Sequence, residues 1–117
     1  MQKLVLGNHY LVDYYNCNTD ILTIVEKIKE LMLDAGKIGN LHIVGECFHQ
    51  FKPYGVSGVL ILKESHFTIH TWPEYNYASV DLYLCDTTID VSNLIKYLAK
   101  RLGTESYNIN KIVRGLQ

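Results

Sequence analysis

The chain has 117 residues with 11 Lys+Arg and 12 Asp+Glu, a formal charge of −1, 48% hydrophobic residues and 20% charged ones. That length suits a single domain spanning residues 1–117, and the composition excludes the disordered, collagen-like and disulfide-scaffold classes. A near-neutral chain without Lys/Arg clusters has no phosphate-neutralising patch, and no apolar run nears the ~18 residues of a membrane span, so neither nucleic acid nor a membrane is expected as a partner.

In chain order, the first element is a strand at about Leu4–Tyr15, rich in Val, Leu and Tyr. Between Thr19 and Gly36 the apolar residues Ile21, Ile24, Val25, Ile28, Leu31 and Met32 recur at three- and four-residue steps. This spacing predicts one amphipathic helix, capped by Asn18 or Thr19 and stopped at Gly36. Strands follow at about Leu41–Phe51, Val56–Lys63, Phe67–Trp72 and Ala78–Cys85, with Pro53 and Pro73 at their edges. A second helix runs along Val91, Leu94, Ile95, Leu98 and Leu102, with Asp90 as its cap and Gly103 as its stop, before a last strand at Tyr107–Val113. Four successive strands with short connections pair mainly antiparallel, and two helices with one apolar stripe each lie on one face of the sheet. The expected fold is α+β, a two-layer α/β sandwich. Without a secretory leader the default compartment is the cytoplasm, where Cys17, Cys47 and Cys85 stay reduced.

Residues with chemical potential gather between Phe51 and Cys85, where Ser57, Glu64, Ser65, His66, His70, Trp72 and Glu74 stand. His66 and His70 have the HxxxH spacing of a helical metal site, yet Phe67-Thr68-Ile69 favours a strand, along which four residues span roughly 13 Å. One zinc cannot bridge that distance, so no metal is expected. Ser57 lies in Gly55-Val56-Ser57-Gly58, which lacks the GxSxG elbow of a hydrolase nucleophile. The Glu64-Ser65-His66 junction admits another chemistry. A serine in a strained peptide can attack its own preceding carbonyl, and elimination of the resulting ester followed by hydrolysis leaves a ketone-bearing pyruvoyl group.

Phe51-Lys52-Pro53-Tyr54-Gly55-Val56-Ser57-Gly58, then Glu64-Ser65-His66-Phe67-Thr68-Ile69-His70-Thr71-Trp72-Pro73-Glu74, and then Cys85, closely resemble the prokaryotic S-adenosylmethionine decarboxylases, pyruvoyl enzymes of spermidine synthesis. The resemblance implies self-cleavage of a proenzyme between Glu64 and Ser65, giving a 64-residue fragment and the remaining 53 of the 117 residues. Ser65 becomes the pyruvoyl cofactor, which forms a Schiff base with the substrate amine and accepts electrons as carbon dioxide leaves. Ser57 and His70 match the processing residues. Imidazole titrates near neutrality, which suits His70 to proton removal. Cys85 matches the proton donor, since a thiol is mostly protonated at neutral pH. Glu74 matches the ribose ligand and Phe51 the ring that stacks on adenine, while Trp72 and Phe67 are expected in the pocket wall, where aromatic faces suit a sulfonium charge.

His70 lies five residues from Ser65, which is ~16 Å along an extended strand and on its opposite face. A partner chain should therefore supply His70 and Ser57, in agreement with the family's dimers, whose sites are shared across the interface. Two departures from the family pattern stand out. Lys63 precedes Glu64 where a small residue is expected, which bears on processing or on the charge near the substrate, and the chain stops at Gln117, earlier than many relatives. Two rival readings share these motifs: a decarboxylase of arginine or ornithine with the same architecture, and a non-catalytic homologue that never cleaves. Glu74 and Phe51 favour the nucleoside substrate. His9, His42, His49, Cys17 and Cys47 lie outside the motif and read as structural.

Overall fold

Every second residue is buried along β3 (Val56–Leu62) and β5 (Tyr77–Leu84), the two-residue period of a pleated strand with one face against a core. β4 (Ser65–Trp72) lies between them, and the sheet is completed by β1 (Val5–Tyr15), β2 (Ile43–Gln50) and β6 (Ser106–Leu116). These elements come from a computed structural model that describes residues 4–116, so Gln117 lies outside it. The strand order is β2-β3-β4-β5-β1-β6, and every neighbouring pair is antiparallel. β2 to β5 form a meander, as short connections require.

Two main helices, α2 (Val25–Ile38) and α3 (Ser92–Leu102), cover one face of the sheet. Ile28, Leu31 and Met32 of α2 and Leu94, Ile95 and Leu98 of α3 meet Leu60, Phe67, Ile69 and Leu82 of the sheet in one core. Each such side chain contributes roughly 1.5–3 kcal/mol by leaving water. The second face carries Ser57, His66, His70, Trp72 and Tyr83 and has no covering layer within the described residues. This is the expected two-layer α+β sandwich.

The stretch expected to form one helix is broken in two. A single turn, α1 (Thr19–Leu22), is capped by the Asn18 side chain, and Ile24 then adopts extended backbone before α2 starts. The sheet causes the break by supplying partners to groups that a continuous helix would pair internally. Thr71 Oγ1 donates to the Leu22 carbonyl at 2.8 Å. Gln50 Nε2 donates to the Thr23 carbonyl at 2.8 Å, while Gln50 Oε1 accepts the Val25 N–H at 2.7 Å. The stop also differs, because α2 continues through Gly36 to Ile38. Gly36 is buried there, and the Ile43 side chain packs where a Cβ would crowd it. α3 stops as expected, with Gly103 in the left-handed region at φ 74°, but its N-cap position is Val91, and Asp90 stands one residue before it with Oδ1 accepting the Ser92 N–H.

Gln50 also donates to the Gly55 carbonyl at 3.0 Å, tying the β2–β3 connection to the α1–α2 joint. Gln50→Ala would leave the Val25 N–H without its partner, while the Thr23 and Gly55 carbonyls keep the Gly55 and Phe51 N–H groups, and should cost about 1–3 kcal/mol, read as a lower Tm in thermal unfolding of the variant.

Candidate active site

Antiparallel register sets Ser57 of β3 beside His70 of β4, and Ser57 Oγ lies 2.7 Å from His70 Nδ1. A hydroxyl and an imidazole at that distance can pass a proton. They open onto a cavity of about 240 Å³ lined by Phe51, Tyr54, Trp72 and Glu74 among others. Phe51 is held by its backbone N–H on the Gly55 carbonyl at 2.8 Å, and Gly55 turns the chain at φ 119°, which a side-chain-bearing residue would adopt only under strain. Gly58 has a packing role. It sits inside β3, and the Phe48 ring fills the space that a side chain there would need. β4 ends at Trp72, and Pro73–Tyr75 form one 3-10 turn that leaves Glu74 exposed at the rim.

Sequence reasoning missed the support behind Trp72. Its ring lies 5.3 Å from that of Tyr77, which lies 5.5 Å from Tyr15, and the Tyr77 hydroxyl donates to Asp13 Oδ1 at 2.5 Å. Burial and the Asp13 carboxylate push the Tyr77 hydroxyl well above its ordinary range, so it remains a donor. Strand alternation around the tight β4–β5 connection was the available signal, since it puts Tyr77 opposite Trp72.

The Glu64–Ser65 peptide lies at the other end of β3 and β4. Lys63 and Glu64 form the hairpin turn, and Ser65 has φ 148°, a conformation that costs a non-glycine residue about 1–3 kcal/mol. The Cys85 N–H donates to the Glu64 carbonyl at 2.7 Å, as an oxyanion donor would. The Glu64 carboxylate is nearly buried and accepts from the His42 N–H at 3.0 Å, with His42 Nδ1 at 2.5 Å from its other oxygen. Burial alone would raise this carboxyl, but the His42 hydrogen bonds outweigh it and hold Glu64 below its ordinary value.

One chain does not bring the two ends together. Ser65 pairs with Leu62 and Leu84, whereas His70 pairs with Ser57 and Ser79. Five extended residues put roughly 16 Å between them. Ser65 shares the helix-side parity of Phe67 and Ile69, whereas His70 and Trp72 point to the open face. Phe67 is displaced from its expected role, being fully buried in the core on the face opposite the cavity. The alternation of β4 that exposes Trp72 buries Phe67. His66 and His70 share the open face, four extended residues apart. Among the described residues no three His, Cys, Asp or Glu side chains are grouped to hold a metal ion. No helix is long and apolar enough to cross a membrane.

Comparison with known proteins bears on the same arrangement. The family model described as S-adenosylmethionine decarboxylase matches residues 8–115. The chain is 44% identical over 110 residues to the S-adenosylmethionine decarboxylase proenzyme of Thermosipho melanesiensis, covering 94% of this chain and 85% of that protein. It is 40% identical over 111 residues to the proenzyme of the same name from Thermodesulfovibrio yellowstonii, covering 95% and 82%. The crystal structure of the adenosylmethionine decarboxylase from Aquifex aeolicus superposes with a TM-score of 0.87 at 36% identity, covering 95% of this chain and 92% of that one. With the family model spanning nearly all of it and the same fold in a solved relative, this chain belongs to the S-adenosylmethionine decarboxylase family.

Proposed function

We propose that the chain cuts itself between Glu64 and Ser65 and then decarboxylates S-adenosylmethionine, a cytoplasmic step of spermidine synthesis. The observation that carries this reading is Ser65 in strained backbone with the preceding carbonyl on the Cys85 N–H. Ser65 Oγ attacks the Glu64 carbonyl carbon, the C–N bond breaks and an ester forms, with the Cys85 N–H holding the charge that develops on oxygen. His70 then takes the Cα proton of Ser65, the Cβ–Oγ bond breaks, and the 64-residue fragment leaves with a carboxylate at Glu64. Hydrolysis of the remaining dehydroalanine releases ammonia and leaves a pyruvoyl group at residue 65.

The residues present fit that group, since Ser65 starts the second fragment and a hydrogen-bonded Ser57–His70 pair is available for proton transfer. A pyruvoyl group supplies an electrophilic ketone that accepts the electrons freed as carbon dioxide departs. Phe51 and Trp72 offer faces to adenine and to the sulfonium charge, Glu74 accepts from ribose hydroxyls, and the Cys85 thiol returns a proton to the substrate carbon. Arginine or ornithine would leave Phe51 and Glu74 without partners. A non-catalytic homologue has no need of Ser57, Ser65, His70 and Cys85 together.

Because Ser65 and His70 of one chain stand at opposite ends and faces of β4, a second copy supplies Ser57 and His70. The homodimer of cleaved protomers buries the open sheet face, on which Ile61, Trp72 and Ile112 are exposed in the single chain. Carbon dioxide release from carboxyl-labelled S-adenosylmethionine, with none from arginine or ornithine, tests the reading. Release from either amino acid instead would overturn the substrate assignment.

Cys85→Ala separates two roles of one residue. Cleavage needs only its backbone N–H and should proceed, whereas turnover should fall by roughly 10²–10⁴-fold, the range of a lost general acid. Parental turnover in a single-turnover assay would remove Cys85 as the donor.

A further inference from the structure

The turn that carries the scissile bond is held from another direction by a residue with no role in the chemistry above. The Lys63 N–H donates to the His42 carbonyl at 2.8 Å, the His42 N–H donates to Glu64 Oε1 at 3.0 Å, and His42 Nδ1 stands 2.5 Å from Glu64 Oε2. Together with the Cys85 N–H on the Glu64 carbonyl, these contacts anchor both the side chain and the main chain of Glu64. The His42 side chain is 69% exposed whereas that of Glu64 is 11% exposed, so the imidazole contributes this contact and little packing. A two-residue turn freed of its carboxylate anchor can rotate its peptides and let Ser65 relax from φ 148° into ordinary extended backbone. The Ser65 hydroxyl would then lose its aim at the Glu64 carbonyl carbon.

We infer that His42 is a positioning residue for self-cleavage, clamping the Glu64 carboxylate so that the Glu64–Ser65 peptide stays in the conformation that Ser65 attacks. The inference rests on cleavage at this bond as proposed above. It also gives a purpose to a histidine that lies outside the motif carrying the family resemblance.

The test is the time course of cleavage, followed by denatured mass, for freshly synthesised parent, His42→Ala and His42→Asn chains. His42→Ala should cleave about tenfold more slowly, the effect of one lost charge-assisted hydrogen bond on the reacting conformation. His42→Asn places an amide N–H near the position of Nδ1 and should restore the rate to within about twofold of the parent. Thermal unfolding of Ser65→Ala with and without His42→Ala checks that the slow chain is folded. Equal rates for His42→Ala and parent overturn the inference, as does an asparagine variant as slow as the alanine one, which would mark a loss unrelated to the clamp. A parent that never cleaves overturns the cleavage reading itself, and that outcome is recognised before any variant is made.

Discussion

Replacing Ser65 by alanine should leave the chain in one 13.4 kDa piece and reduce decarboxylation by at least ~10⁴-fold. The expectation follows from the position of Ser65. It is the residue with a hydroxyl at the strained end of the β3–β4 hairpin, its φ is 148°, and the carbonyl before it is already polarised by the Cys85 N–H. Alanine retains the fold, because Ser65 is only partly buried and makes its sheet contacts through the backbone with Leu62 and Leu84. It removes Oγ, the atom that attacks the Glu64 carbonyl and then leaves with the first fragment in the elimination from which the ketone arises. Denatured mass and labelled carbon dioxide release measure the two losses separately. Cleavage of the alanine chain at residue 64 would assign the nucleophile elsewhere, and undiminished decarboxylation would remove the pyruvoyl group from the mechanism.

Mixing uncleaved Ser65→Ala and His70→Ala chains should restore cleavage that neither shows alone. In a mixed dimer the His70→Ala chain contributes an intact Ser65 while its partner contributes an intact His70, so one of the two sites is complete. Random association places about half of the His70→Ala chains in such dimers, and only those are expected to be cut. The Ser65→Ala chains stay whole in every case. The asymmetry is the diagnostic, since a site formed within one chain leaves both species uncut in the mixture. The physical ground is the straightness of β4: a strand cannot bring residues 65 and 70 together, and the Ser57–His70 hydrogen bond keeps the imidazole at the far end of the hairpin.

Much of this architecture is legible locally. A strand announces itself by alternation and a helix by three- and four-residue spacing, so β1 to β6 and α3 appear close to where their side-chain patterns put them. The separation of Ser65 from His70 is likewise a consequence of strand rise and parity. The misread elements are those decided by partners distant in sequence. The break at Thr23 and Ile24 depends on Gln50 and Thr71 taking up the Val25 N–H and the Leu22 and Thr23 carbonyls, and no window around residue 23 contains either residue. Phe67 is a different case: the family resemblance implies a place in the pocket wall, but the local alternation of β4 turns it into the core.

The residue types and their order determined by themselves the fold class and the family resemblance, and they motivate the proposed cleavage bond and second chain, because periodicity, strand rise and a dense motif are properties of neighbouring residues. Only the tertiary structure decided that Ser57 faces His70, that Tyr77 and Asp13 stand behind Trp72, that the Cys85 N–H meets the Glu64 carbonyl, and that His42 grips the Glu64 carboxylate. Each of these is a hydrogen bond or ring contact between groups that register and turns bring together across the sheet, and register is a property of the assembled sheet.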